Sequence, residues 1–353
     1  MKKINMKKIS AFLAALVIGG TTLTPALANP FNESRIEKYI LTEEEQKDPN
    51  YSYMINDEVE MNYSDEDVAL YNKIVRGIMN RESYIHLTDD EEYNTNMCYA
   101  IYHSPYTAAL DTVYYDPENK DIGFIYYFDD KNEQDEMFKY VENEMDRIFD
   151  SLFTEDMNLT DKLIMLFGYG ANNFKYCMSY PKQYLTEDGR ILKIPLEYLL
   201  KKDAGVCHTY AYFLDYFCQK EGVESHLVTG QIGRTAHMWN MIKLEDDKYY
   251  FFDITTAIQR GKLLKQIFVG FGLTKDEYDM YDYSIPKEYR TGKLKEKTTV
   301  STFKEMRDIS EYEYLGNHIF KFTSRFGDVT YYNTETRERS TDLESVKVKQ
   351  LSK

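Results

Sequence analysis

Cys207, His237 and Asp253 follow one another inside a single segment, 203–257, and together they are the side chains that thiol chemistry needs. A thiol is a good nucleophile only as thiolate, and it becomes one beside a base in an electropositive setting. An imidazole can take the proton and later return it. A carboxylate behind the ring fixes its tautomer and stabilises its charged form. The order therefore points to sulfur attacking an acyl carbon. Each residue also has a plainer reading, Cys207 as a structural thiol and His237 as a satisfied core histidine. Asp253 is the odd one, because it interrupts the apolar run Tyr249-Tyr250-Phe251-Phe252 and Ile254, where an unpaired carboxylate is costly to bury.

A helix and a hairpin must position these three. Val206, Tyr210, Phe213, Leu214 and Phe217 mark the apolar stripe of a helix over 206–221, which Gly222 ends. Cys207 falls in its first turn, where free N–H groups and the helix dipole favour a thiolate. Residues 225–232, 236–244 and 249–256 read as three antiparallel strands. If Glu245-Asp246-Asp247 is a three-residue turn, His237 lies opposite Thr255 and Trp239 opposite Asp253. His237 and Asp253 are then diagonal neighbours on one face, roughly 7–8 Å apart at the backbone. A two-residue turn would separate them onto opposite faces. Trp239, the only tryptophan, shares the face of His237 and either shields the pair from water or simply packs.

Three stretches jointly resemble the motifs of the transglutaminase-like superfamily: Gly205-Val206-Cys207-His208-Thr209-Tyr210-Ala211, His237-Met238-Trp239-Asn240 and Tyr249-Tyr250-Phe251-Phe252-Asp253-Ile254-Thr255. The resemblance covers about 160–257. It implies a papain-like core, with Cys207 as nucleophile, His237 as general base and then acid, and Asp253 as the orienting carboxylate. It implies an activity among those of the family's cross-linking enzymes, peptidases and amidases, on protein or peptide amides and with no cofactor. The family often has an aromatic upstream of the nucleophile, and Tyr176 is similar to that position; a core tyrosine is the other reading. The N–H of Cys207 is one expected oxyanion donor. Met238 stands where the family usually has a small residue. The rival reading is a non-catalytic surface or wall-binding module on the same fold, using the tyrosine-rich flanks for contact.

The rest of the chain bounds these readings. The first 28 residues have the pattern of a secretory signal peptide: Lys2, Lys3, Lys7 and Lys8, an apolar run from Ile9 to Leu23, and Ala26-Leu27-Ala28 as cleavage site. An uncleaved anchor is the alternative, but the run is short for a span of about 20 residues. Removing those four lysines takes the formal charge from −16 to −20, which disfavours nucleic acid and anionic membranes as partners. Secretion to the cell surface or beyond, without stable membrane insertion, is the expectation. The acidic stretches 43–47, 89–92 and 129–136 lack the spacing of a calcium loop. Cys207, His208, Cys218, His226 and His237 lack zinc-site spacing, and G-x-S-x-G and phosphate-loop signatures are absent. Cys207 and Cys218 lie roughly 16 Å apart along one helix and cannot bond; any disulfide would involve Cys98, Cys177 or Cys218.

The expected class is α+β. A nucleophile helix packs on an antiparallel sheet in a core at 156–290. A helix-rich α+β domain at 29–155 precedes it, and a small β extension at 291–353 follows. Within these, helices are expected from Asp65 to Ile78, over about 132–153, and from Thr160, as N-cap, through Phe174. Strands are expected at 97–103, 107–115 and 122–128, a loop with at most short elements at 178–202, and a last hairpin at 317–323 and 328–333 turning at Phe326-Gly327.

Overall fold

The computed structural model describes residues 65–93, 110–177, 195–284 and 303–347. The signal-peptide reading of 1–28, the lead 29–63, the strand expected at 97–103 and the loop at 178–194 lie outside the described residues. Helix and sheet are mixed throughout. Helix α1 (Asp65–Met79) accompanies a three-stranded antiparallel sheet of β1 (Tyr84–His86), β2 (Leu110–Asp116) and β3 (Asp121–Tyr126), in the order β1-β3-β2. Its stripe Leu70, Tyr71, Ile74, Val75 and Ile78 closes a small apolar cluster with Ile85, Ile122 and Phe124.

Helix α2 (Lys131–Leu152) is capped by Asp130, whose carboxylate accepts from the N–H of Asn132 at 2.7 Å. Its apolar face, Met137, Phe138, Val141, Met145, Ile148 and Phe149, belongs to the central cluster of the molecule. Helix α3 (Leu159–Asn173) begins at Asn158, not at Thr160 as expected. Asn158 accepts from the N–H of Asp161 at 2.8 Å and Asp161 accepts from the N–H of Asn158 at 3.1 Å, a reciprocal capping box. The Thr160 hydroxyl instead donates to Glu245 at 2.8 Å.

After β4 (Lys175–Tyr176), α4 (Pro195–Lys202) and β5 (Ala204–Gly205) comes α5 (Cys207–Lys220), within one residue of the expected nucleophile helix at each end. The central sheet follows: β6 (Ser225–Ile232), β7 (Thr235–Lys243) and β8 (Tyr249–Phe252), with β9 (Tyr283–Ser284) on the far edge, in the order β8-β7-β6-β9. The β7–β8 turn has the three residues expected. The Leu244 N–H donates to the Lys248 carbonyl at 3.0 Å, and Asp247 adopts the left-handed conformation at φ 61°. Lys243 therefore pairs with Tyr249 and Asn240 with Phe252.

Strand β8 ends four residues earlier than the sequence suggests. Ile254–Leu264 is helix α6, and the buried Ile254, Ala257 and Ile258 recur at helical spacing. The β-branched run Ile254-Thr255-Thr256 reads locally as strand; its capping by Asp253 makes it helix.

Helix α7 (Lys275–Met280) precedes β9. The C-terminal hairpin is present as β11 (Ile319–Ser324) and β12 (Val329–Asn333), turning where expected. It is flanked by β10 (Ile309–Tyr314) and β13 (Glu338–Ser340), which the sequence reading missed, and the chain's last described helix is α8 (Leu343–Lys347). This sheet is more than an appendage. Phe320, Phe322 and Tyr332 share the central cluster with α5, and Phe322 meets Phe268 at 5.8 Å. Tyr312 lies so close to Gly168 that a Cβ there would sit 2.3 Å from its ring. The buried Arg307 guanidinium adds a polar tie, donating to Glu277 at 2.7 and 2.9 Å and to the Phe271 carbonyl at 2.7 Å.

Candidate active site

The nucleophile helix is seated before it begins. β4 and β5 pair in parallel, and the Cys177 N–H donates to the Gly205 carbonyl at 2.8 Å. The Tyr210 hydroxyl returns from α5 to the Lys175 carbonyl at 2.5 Å. Gly205 allows Thr209 to close over this bend, since a Cβ would sit 2.7 Å from the Thr209 side chain. Cys207 is thus the first residue of α5, where its N–H has no intrahelical acceptor. Buried Asn240 on β7 donates to the Ala211 carbonyl at 2.9 Å and fastens helix to sheet.

His237 lies near the start of β7, with Asp253 one residue past the end of β8. The diagonal geometry holds: His237 Nε2 meets Asp253 Oδ2 at 2.8 Å. That leaves Nδ1 as the ring nitrogen for the sulfur, and Cys207 and His237 each favour the charged form of the other. Asp253 is not the strand residue expected but the N-cap of α6, accepting from the Thr256 N–H at 3.3 Å. A carboxylate at a helix start is favoured by the dipole, so the cap answers how an acid tolerates this burial. The backbone is held too, since the Asp253 N–H donates to the Gly270 carbonyl at 2.8 Å.

The electrostatics follow from these contacts. Burial pushes the Cys207 thiol up; hydrogen bonds from His208 and His237 outweigh it and bring the thiol down to about 6. Burial would lower His237; the Asp253 charge and hydrogen bond, then the sulfur, raise it to about 10. Burial would raise Asp253; the His237 charge and the hydrogen bonds from His237, Thr256 and Tyr283 hold it at about 2. The thiol is lowered and the ring raised, and both directions favour a thiolate facing an imidazolium.

Trp239 is buried and stacks on the His237 ring, with centroids 5.9 Å apart and planes 22° apart. Gly230 lies opposite His237 in the ladder, and a Cβ there would sit 2.6 Å from the Trp239 indole and 2.2 Å from the Ser284 carbonyl. Tyr176 pairs with Gly205, two residues before the nucleophile, and is partly buried. Burial first, then the charges of Cys207 and Asp253, push its phenol up to about 12, so it stays a neutral O–H donor.

Three neighbours escaped the sequence reading as site residues. The Thr256 hydroxyl donates to Asp253 Oδ2 at 2.6 Å, and the Tyr283 hydroxyl donates to the same oxygen at 2.5 Å. Buried His208, next in the chain, helps to lower the Cys207 thiol. The signal for Thr256 was the cap pattern Asp253-x-x-Thr256; Tyr283 arrives from a distant edge strand and left none. Cys177, Cys207 and Cys218 are free thiols, and Cys98 lies outside the described residues. Among the described residues no group of three His, Cys, Asp or Glu side chains could hold a metal ion, and no helix is long and apolar enough to cross a membrane.

No curated protein matches the chain significantly. Among solved structures, a candidate cysteine protease from Cytophaga hutchinsonii is 15% identical, over 33% of this chain and 37% of that one, at a TM-score of 0.26. The periplasmic domain of TgpA from Pseudomonas aeruginosa is 13% identical, over 35% of this chain and 44% of that one, at 0.27. The chain thus spans under half the length of either, and at these values neither likeness bears on the reaction. A family model matches residues 148–254, a span that holds Cys207, His237 and Asp253. The matching model is that of the Transglutaminase-like superfamily, to which residues 148–254 are thus similar.

Proposed function

We propose that this protein is a thiol-dependent enzyme of papain-like arrangement that attacks the carboxamide of a protein or peptide through Cys207, His237 and Asp253. The observation that supports it best is the 2.8 Å hydrogen bond that ties His237 to the buried Asp253, with the Cys207 thiol held acidic and the ring held basic. The Cys207 thiolate adds to the carbonyl carbon. The C–N bond then breaks as the proton on His237 Nδ1 passes to the leaving nitrogen, which departs as ammonia or an amine. A thioester remains. Neutral His237 takes a proton from water or from an incoming amine, which displaces the sulfur and gives acid or new amide. The Cys207 N–H and the Tyr176 hydroxyl are the proposed donors to the oxyanion.

The three residues serve hydrolysis and amine transfer alike. The proposed setting is outside the cytoplasm, reached through the leader 1–28, with no cofactor. The test is incubation with a glutamine-containing protein and a fluorescent amine, with ammonia release followed in parallel. Amine incorporation marks transfer, ammonia without incorporation marks deamidation, and chain cleavage marks a peptidase. Absence of all three, with Cys207 no more reactive than Cys177, refutes the enzyme and favours a binding module on the same fold.

A further inference from the structure

Asp253 Oδ2 is an unusually crowded atom. It accepts from His237 Nε2 at 2.8 Å, from the Thr256 hydroxyl at 2.6 Å and from the Tyr283 hydroxyl at 2.5 Å, and the two hydroxyls are 3.2 Å apart. Thr256 comes from the cap of α6. Tyr283 comes from the two-residue strand β9, seated on β6 by the pairs Gln231–Ser284 and Ile232–Tyr283 and by the Gly233 N–H donating to Asp282. It is buried, and its ring lies against Trp239, Tyr278 and His237, with centroids 5.2, 5.1 and 6.2 Å away. A tyrosine wanted only for packing does not need its hydroxyl on a carboxylate that already has two donors.

Resting on the proposed function, we propose that Tyr283 and Thr256 are positioning residues that keep the negative charge on Asp253 and the proton on His237. A carboxylate that loses a buried donor becomes a stronger base. It also loses what fixes its direction: without these hydroxyls Oδ2 is free to turn away from Nε2, the ring holds its positive charge less firmly, and the thiolate is less favoured. The groups that face this centre are Cys207 and His208 of α5, Tyr176 of β4, Thr256 and Arg260 of α6, Tyr278 of α7 and Tyr283 of β9. The two hydroxyls are the members of this set that donate to the same oxygen as His237.

The test uses the full chain and iodoacetamide, with alkylation of Cys207 followed by peptide mapping across pH. Tyr283→Phe keeps the ring and removes the hydroxyl. The expected result is an upward shift of the alkylation midpoint by about one pH unit, which is about a five-fold slower reaction at pH 6 and little change at pH 9. The His237 Nε2 proton should move upfield in the NMR spectrum as its bond to Oδ2 weakens, and the melting temperature should hold. Added to Asp253→Asn, Tyr283→Phe should have no further effect, because it acts through that carboxylate. Thr256→Val should move the midpoint the same way and Thr256→Ser should restore it, which keeps the test alive if Tyr283→Phe does not fold. An unchanged midpoint in both hydroxyl deletions, or full additivity with Asp253→Asn, overturns the proposal. A wild-type midpoint in the ordinary thiol range would instead sink the proposed function itself.

Discussion

Asp253–His237 and Asp161–His318 are built from the same two side chains at the same kind of place, the first turn of a helix. Asp253 caps α6, and Asp161 closes the capping box of α3. Each carboxylate is fully buried, each takes a threonine hydroxyl, and each meets an imidazole, at 2.8 Å for His237 and 2.6 Å for His318. Yet Asp253 is held at about 2, whereas burial pushes Asp161 above the usual carboxylate range despite its donors. The difference is the far side of the ring. His237 faces a sulfur, stacks on Trp239 and meets Tyr283 edge-on, so its charge is retained and stabilises the acid. His318 stands at the β10–β11 tip in a left-handed conformation, φ 61°, and its link to Asp161 ties that tip to α3. One pair is arranged to hold a charge and the other to hold two elements together.

The comparison can be broken first at the acids. Asp253→Asn should cost acyl transfer on the order of 10⁴-fold by losing the ring's orientation, with modest change in melting temperature. Asp161→Asn should leave Cys207 alkylation at its wild-type rate and lower stability by about 1–3 kcal/mol, read by denaturant titration. Equal effects on activity would erase the distinction. The histidines come next. His237→Ala should return the thiol toward about 8.5, so alkylation at pH 7 slows about 30-fold, while His318→Ala should leave it unchanged.

A smaller effect lies in stability against pH. His237 is raised to about 10 in the folded chain. Its contribution is therefore complete below its unfolded value of about 6.5 and lost as pH rises through about 10. Asp253 has the opposite sign, present above about 3.9 and lost as pH falls through about 2. Thermal melts of wild type and His237→Ala should converge as pH rises from about 6.5 through about 10; a gap that widens would contradict the assignment. Least of all, Trp239→Phe should slow acyl transfer only a few-fold, because a phenyl ring still covers the imidazole; the readout is the acyl-transfer rate, compared with wild type at the same pH.

Much of the site was legible because its parts are local. The stripe from Val206 to Phe217 located α5 to within a residue, and the length of the turn Glu245–Asp247 fixed the register that brings His237 toward Asp253. What escaped was set by partners far away in the chain. Asp253 looks like a strand residue until the backbone of Gly270 takes its N–H and α6 begins behind it. Thr160 looks like a cap until Glu245 claims its hydroxyl. Strand β10 alternates Tyr312 and Tyr314 with Glu311 and Glu313, an apolar face visible only once Gly168 is known to lie under Tyr312. Tyr283 sits thirty residues from the acid it touches, in a two-residue strand with no pattern of its own.

The most direct test is the acid–base midpoint of one sulfur. Thiolate formation at Cys207, followed by alkylation resolved from Cys98, Cys177 and Cys218, should show a midpoint of about 6 that moves upward in His237→Ala. A midpoint in the ordinary thiol range, or one indifferent to His237, would mean that the sulfur and the ring do not form a pair, and the account would fail at its centre.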